Sequence, residues 1–148
     1  PYVIGSNQHT ANLAHKYKSK IDFVGINSNS PLTYPEDSYE NMVRVMQEHS
    51  FPWTYLFDET QEVAKLYGAL KTPHFYLFDQ DRRLIYTGRS NDQPKNPLEA
   101  THFELEQAME QFLSGQTIEE PLTNPIGCNI KWAGKPKKWM PPEACDIV

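Results

Sequence analysis

The pattern of apolar and polar positions alternates between helical and strand spacing along most of the chain. Apolar residues at 39, 42, 43 and 46 follow intervals of three and four, which predicts an amphipathic helix over 36–49. The short apolar run at 21–27 is rich in strand-forming residues and predicts a strand buried on both faces. The remaining elements predicted from the pattern are helices over 5–18, 58–68 and 101–115, and strands over 54–57, 74–79 and 83–88.

Capping residues set the expected starts of two helices. Thr101 and Glu104 have the spacing of a capping box, and Gly115 closes the helix that they begin. Asp58, with Gln61 three residues later, predicts the start of a shorter helix.

The order of the elements predicts an α/β fold. Strands 74–79 and 83–88 are joined by a short polar link and should form an antiparallel hairpin. Parallel units followed by a hairpin and a closing helix imply a mixed central sheet with helices on both faces. One more strand should precede the first helix, so we expect that strand upstream of Pro1.

Proline separates two regions of the chain. Five of the twelve prolines lie between 121 and 142, so we predict one domain over 1–117 and an extended, proline-rich C-terminal tail over 118–148. Four apolar residues of the tail suggest that part of it packs on the domain: Ile126, Ile130, Trp132 and Trp139.

Charge and cysteine content exclude several classes of protein. Fourteen basic against nineteen acidic residues give a net charge of −5, which argues against nucleic-acid or anionic-membrane partners. No apolar run approaches the ~20 residues of a membrane-spanning helix. Cys128 and Cys145 are the only cysteines, which fits a reducing, cytoplasmic compartment. Neither has metal-ligand spacing with a histidine, and no phosphate loop is present, so no metal or organic cofactor is expected.

Three stretches resemble a known family. Thr72-Pro73 comes directly before a predicted strand and hairpin, the segment from Phe51-Pro52 to Tyr67-Gly68 leads up to it, and the tail contains Gly127-Cys128-Asn129-Ile130-Lys131-Trp132. Together they resemble the thioredoxin-like superfamily, and within it the bacterial alkyl hydroperoxide reductase/thiol-specific antioxidant proteins. The resemblance implies a thioredoxin-like fold and a cis peptide at Pro73. It also implies a Cys-x-x-Cys or single Cys directly before Pro-Tyr-Val, and so a catalytic cysteine just upstream of Pro1.

The resemblance implies a thiol–disulfide oxidoreductase or a peroxiredoxin-like antioxidant protein. A thiolate at a helix N-terminus is stabilised by free amides and the helix dipole, and it attacks a disulfide or a hydroperoxide. A dithiol electron donor would restore it. If the chain as printed were complete, we would expect it to be inactive.

Candidate site residues each have a second interpretation. Thr72, Pro73 and Tyr2 are assigned to substrate binding, although Thr72-Pro73 would also suit an ordinary turn and Tyr2 simple packing. Arg89 would stabilise a thiolate or a bound anion, or lie solvated on the surface.

Cys128 and the overall function also remain open at the level of sequence. Cys128 is either a resolving thiol or a small buried apolar residue, and a further hypothesis makes it the only working thiol. The alternative function is a redox-inactive binding module that holds an extended peptide near Thr72-Pro73.

Overall fold

The computed structural model describes residues 1–32 and 34–134. The four α-helices of this part are α1 Tyr2–Tyr17, α2 Tyr39–His49, α3 Glu62–Leu66 and α4 Glu104–Leu113. Its strands are β1 Val24–Asn27, β2 Thr54–Phe57, β3 Lys71–Thr72, β4 Phe75–Phe78, β5 Leu84–Gly88 and β6 Cys128–Asn129. The chain forms two compact units: the first contains residues 1–10 and 70–128, and the described part of the second contains 11–32, 34–69 and 129–134.

The first unit is built on an antiparallel hairpin. β4 pairs with β5, with Phe75 opposite Gly88 and Leu77 opposite Tyr86, so the predicted hairpin is confirmed. Tyr86 is completely buried, as are Leu105, Ala108 and Met109 of α4. Residues 121–123 lie alongside β5, because Thr87 N donates to Pro121 O and Thr123 N donates to Thr87 O, both at 3.0 Å.

The second unit is built on a parallel pair of strands. β1 pairs with β2, with Val24 opposite Thr54 and Ile26 opposite Leu56. Helix α2 packs on one face of this pair of strands, where the Tyr39 and Phe57 rings lie 6.3 Å apart.

The expectation that the first strand is buried on both faces is wrong. The strand covers only Val24–Asn27, and Val24, Ile26 and Leu56 are 57, 42 and 48 % exposed. Since side chains alternate along a strand, these three share the face opposite α2. The apolar run satisfied the pattern of a doubly buried strand, but a helix of this unit covers only one side of it.

The predicted starts of α1 and α4 differ from those in the structure. Helix α1 begins at Tyr2, three residues earlier than predicted, because Pro1 O accepts the Gly5 amide at 2.8 Å and proline suits a helix start. The predicted capping box does not form. Helix α4 begins at Glu104 after Phe103, and the Thr101 hydroxyl donates to the Asp92 carboxylate instead.

Helix α3 also begins later than predicted, at Glu62 after Gln61, and Asp58 binds its first turn from outside the helix instead of capping it. Its carboxylate accepts the Val63 and Ala64 amides at 3.3 and 3.0 Å. Gln61, the residue before the helix, is in the left-handed region with φ 61°.

The tail is described as far as Gly134. Ile126 and Ile130 are buried, and Trp132 is half-buried. Trp139 and Cys145, which the sequence analysis singled out, lie outside the described residues, and the domain boundary at residue 117 stays a prediction. None of the helices in the described chain has the length and hydropathy needed to cross a bilayer.

Candidate functional site

The first turn of α1 presents free amide groups. Because Gly5 N is the first amide with a helical acceptor, the N–H groups of Tyr2, Val3 and Ile4 have none within the helix. The first turn contains no acidic side chain that would offset the positive end of the helix dipole. This end of α1 therefore favours an anion next to Pro1.

A loop of the first unit packs tightly on this turn. Ser6 Oγ donates to Tyr2 O at 2.8 Å and lies 3.2 Å from Pro94 O. A Cβ atom on Gly5 would lie 2.5 Å from Lys95 O, so only glycine fits there. The Lys95 ammonium lies 4.6 Å from the centre of the Tyr2 ring, which is itself buried. Sequence reasoning identified Tyr2 but missed Lys95, which places a positive charge beside it.

The Thr72-Pro73 peptide is cis, as the resemblance implied. The main chain of Gly127 packs directly against it: a Cβ atom at Gly127 would lie 2.7 Å from the Thr72 carbonyl carbon and 3.0 Å from Pro73 N. Cys128 follows Gly127 and is half-buried at the start of β6. Two predicted site regions, Thr72-Pro73 and the segment of Cys128, are therefore brought together.

Arg89 directly follows the β4–β5 hairpin and is held by an ion pair and a hydrogen bond. Its Nε and Nη2 donate to Glu104 Oε1 at 2.7 and 2.5 Å, and its amide donates to Thr123 Oγ1 at 3.0 Å. The Arg89 side chain is 27 % exposed and that of Glu104 only 3 %. Among the described residues, Glu104 Oε2 is buried without a hydrogen-bond partner. Arg89 is thus a partly buried, paired cation rather than a solvated surface arginine.

Tyr86 of β5 forms hydrogen bonds with Arg89 and Thr123. Its hydroxyl donates to Arg89 O at 2.5 Å and lies 2.7 Å from Thr123 Oγ1. Burial raises the pKa of Tyr86 to about 12, so the phenol stays protonated at neutral pH.

His74, the residue after Pro73, is held by packing and hydrogen bonds. Its Nδ1 accepts from Leu70 N at 3.3 Å and lies 3.0 Å from the Tyr76 hydroxyl. Since Nδ1 is an acceptor, Nε2 carries the proton and donates to Thr87 Oγ1 at 3.0 Å. Burial lowers the pKa of His74, which favours this neutral form.

The described residues contain no group of three or more His, Cys, Asp or Glu side chains that would bind a metal ion. Their chemistry is that of a helix N-terminus, a proline peptide and a thiol. Helices combined with short parallel and antiparallel sheets in this order define a mixed α/β, thioredoxin-like fold.

Comparison with known proteins agrees with this fold. The Redoxin family profile matches residues 1–102, and the chain belongs to the Redoxin family. The family is thioredoxin-like, of the alkyl hydroperoxide reductase/thiol-specific antioxidant type, and its members carry out thiol-based redox chemistry on thiol or peroxide substrates with reductant partners.

Two crystal structures are similar over most of the chain. A hypothetical protein from Sinorhizobium meliloti 1021 is 35 % identical with a TM-score of 0.83, covering 91 % of this chain and 75 % of its own. An uncharacterized conserved protein from Geobacillus kaustophilus is 42 % identical with a TM-score of 0.82, covering 90 % and 71 %. No curated protein matches the chain significantly.

Proposed function

We propose that this protein is a thiol–disulfide oxidoreductase or peroxiredoxin-like antioxidant protein whose working group is a cysteine thiolate immediately before Pro1. The observation that carries the proposal is the start of α1 at Tyr2, with Pro1 O accepting the first helical hydrogen bond. A cysteine in the preceding position would be next to the free amides of the first turn. Those amides stabilise the thiolate and lower its pKa from the usual ~8.5.

The reaction follows from the chemistry of a thiolate. With a disulfide, the sulfur forms a mixed disulfide and releases the other substrate sulfur as a thiolate. With a hydroperoxide, it takes the terminal oxygen, becomes a sulfenic acid and releases an alcohol or water. In both cases the cysteine is oxidised and a cytoplasmic dithiol donor reduces it again.

The other site residues have supporting roles. We assign Thr72, Pro73 and Tyr2 to substrate binding. Arg89, held by Glu104 and partly exposed, supplies a fixed positive charge for the thiolate or an anionic group. Cys128 is assigned as a resolving thiol, supported by its position next to Gly127, which packs on the Thr72-Pro73 peptide.

The proposal is tested on the native product that contains this sequence. N-terminal sequencing and intact mass identify the residue before Pro1. The reduced protein is then treated with one equivalent of hydrogen peroxide or of a small aromatic disulfide, and the adduct is located by mass spectrometry with dimedone as the sulfenic-acid trap. We expect the adduct on a cysteine directly before Pro1. Turnover should be lost on changing that cysteine to serine and retained in Cys145→Ser.

A matched control separates the candidate thiols. The chain beginning at Pro1 with Cys128→Ser and Cys145→Ser should show no peroxide or disulfide turnover, and measurable turnover would contradict the proposal. An adduct confined to Cys128 would make that residue the working thiol instead. A protein that forms no adduct but binds extended peptides would be the redox-inactive binding module. For the resolving role, the oxidised protein should contain a bridged Cys128, and finding it reduced would reject that assignment.

A further inference from the structure

The short strand directly before Pro73 is paired with another part of the chain. Strand β3 consists of Lys71 and Thr72, and among the described residues its partner is β6, which begins at Cys128. Cys128 and the preceding Gly127 belong to the same compact unit as β3. The C-terminal stretch therefore supplies the second strand at the place that we assign to substrate binding.

The main chains of β3 and Gly127 are in close contact. The atom nearest to an added Cβ at Gly127 would be Thr72 O, and Pro73 N would lie 3.0 Å away. Gly127 does not have a positive φ, so the close contact, and not the backbone conformation, requires glycine here. In a strand, the N–H and C=O of one residue point to the same side. The main-chain groups of Thr72 that would pair with another strand are therefore covered by the chain itself.

The segment that covers β3 is held on both sides. Before it, Ile126 is buried, and Thr123 Oγ1 accepts the Arg89 amide at 3.0 Å within the first unit. After it, Lys131 N donates to Asn29 Oδ1 at 3.0 Å within the second unit. Strand β6 is therefore fixed in place, unlike a loose terminal flap.

An occupied strand edge limits which substrates can bind. An extended peptide binds a strand through main-chain hydrogen bonds along an open edge. Paired strands are only about 4.8 Å apart, so a third main chain does not fit between β3 and Gly127. A peptide that paired with Thr72 would have to displace β6. A small hydroperoxide or a low-molecular-weight disulfide needs no strand edge, because it presents a single oxygen or sulfur atom to the thiolate.

We propose that β6 closes the strand edge at Thr72 and thereby restricts this protein to small substrates. The thiolate accepts a small hydroperoxide or a low-molecular-weight disulfide, and extended protein segments are excluded. This inference rests on the proposed function, because it names the substrate class of that thiol. The pairing of β6 with β3, in contrast, does not depend on which residue precedes Pro1.

The test compares two disulfides that differ only in the main chain beside the reacting cysteine. Both are mixed disulfides of cysteine with nitrothiobenzoate: one on N-acetylcysteine amide, the other on a cysteine at the centre of a short extended peptide. The thiolate forms a disulfide with the cysteine sulfur and releases the same coloured aromatic thiolate from both probes. The ratio of the two rate constants therefore isolates the effect of the peptide. For the native product that contains this sequence, we expect the peptide to react no faster than the single residue.

Gly127→Ala should open the edge. The added methyl group forces residues 127–128 away from Thr72, so the peptide should react at least tenfold faster relative to the single residue. Gly115→Ala is the matched control, because a Cβ atom there meets nothing within 4 Å, and its ratio should equal that of the native protein. Circular dichroism verifies that both variants are folded.

A second measurement needs no redox chemistry. A fluorescent version of the same peptide, with serine in place of its cysteine, is titrated with each protein and followed by fluorescence anisotropy. It should bind to Gly127→Ala and to neither the native protein nor Gly115→Ala.

Two results would overturn the inference. A native protein that reacts tenfold faster with the peptide, or that binds the serine peptide, has an open edge, and this comparison requires no variant. A folded Gly127→Ala whose rate ratio and peptide binding remain at the native values would show that β6 does not exclude peptides. Failure of the proposed function has a different signature: neither disulfide would react at a cysteine before Pro1, whereas the serine peptide would still bind only to Gly127→Ala.

Discussion

The C-terminal stretch is held differently in the two units. In the first unit, residues 121–123 are aligned with β5 by hydrogen bonds between main-chain groups. In the second unit, one main-chain bond, from Ser30 N to Lys131 O at 2.8 Å, is joined by two side-chain amides. Asn29 Oδ1 accepts the Lys131 amide at 3.0 Å, and Gln61 binds both Lys131 O and Ala133 N.

This difference predicts opposite sensitivities. A main-chain ladder tolerates most side-chain changes but leaves no room where the two backbones touch. A side-chain clamp is weakened when one amide is removed, because the backbone groups that it binds then lose a hydrogen-bond partner. The first unit should therefore be damaged most by added atoms and the second by deleted ones.

The largest effect is expected from an added methyl group at Gly88. Its φ is 146°, and a Cβ atom would lie 2.5 Å from Thr123 O, with the Thr123 side chain closer still. We expect Gly88→Ala to lower the free energy of unfolding by about 3 kcal/mol or more, measured by urea denaturation. Gly115→Ala is the matched control: Gly115 also has a positive φ, 73°, but nothing lies within 4 Å, so it should lose only about 1 kcal/mol. Equal losses would show that close packing on residue 123 is unimportant.

The next largest effect is expected from a deletion in the clamp of the second unit. Gln61 is 3 % exposed and hydrogen-bonds to Ser28 O as well as to the C-terminal stretch. Gln61→Ala should cost about 2–3 kcal/mol, because it removes the part-buried hydrogen bonds to Ser28 O, Lys131 O and Ala133 N, each worth about 0.5–1.5 kcal/mol. Hydrogen exchange should speed up at the Ala133 amide and not at the Thr123 amide. Thr60→Ala, an exposed neighbour, should change stability by less than about 0.5 kcal/mol. Retained protection at Ala133 would show that the amide is not the clamp.

The Arg89–Glu104 ion pair is an exception to this rule. It lies in the first unit, yet removal of one side chain should reduce stability there. Arg89→Met leaves the Glu104 carboxylate buried without a partner. The expected loss is about 2 kcal/mol, below the 3–5 typical of fully buried pairs because Arg89 is partly exposed. Adding Glu104→Gln should restore part of it, with a coupling of about 1 kcal/mol in a double-mutant cycle. Additive losses would mean that the two side chains act independently.

The smallest expected effect is a difference between the two units in the pH range over which they lose stability. Burial lowers the pKa of His74 in the first unit, so the stability it contributes is complete above its unfolded pKa of about 6.5 and is lost as the pH falls through the lower folded value. Burial also lowers the pKa of His9, despite the opposing charge of Glu106, and adds to the same step.

Asp58 in the second unit responds in a lower pH range. Burial alone would raise its pKa, but hydrogen bonds from Ala64 N, Ser28 Oγ and Val63 N outweigh it and hold the pKa below its usual value. Its contribution is complete above an unfolded pKa of about 4 and is lost at lower pH. Urea titrations from pH 8 to 3 should show His74→Asn weakening the first step and Asp58→Asn the second. If either variant removed both steps, the assignment would be wrong.

Local features were predictable from the sequence, and long-range partners were not. The periodicity at Tyr39, Met42 and Met46 identified α2 to within a few residues, because spacing within a helix is a short-range property. The strand pattern could not tell which face of β1 is covered, since that depends on a helix elsewhere in the chain. Thr101 and Glu104 had the correct spacing for a capping box, but Asp92 and Arg89 bind them instead.

The site was predictable to a similar extent. Thr72-Pro73 was identified by its place before a hairpin, and a glycine directly before Cys128 was the available signal for the close contact at Gly127. Lys95 gave no such signal, because a lysine in a polar loop is usually solvated and its position over Tyr2 depends on the fit of Gly5.

Gln61 binds two groups of the C-terminal stretch, and this affects the order in which parts of the chain fold. Its two C-terminal partners lie 70 and 72 residues further along the sequence. During synthesis the Gln61 side chain can bind Ser28 O early, but it cannot meet its C-terminal partners until almost the entire described chain exists. The closing of the second unit is therefore a late event, whatever the speed of its earlier steps.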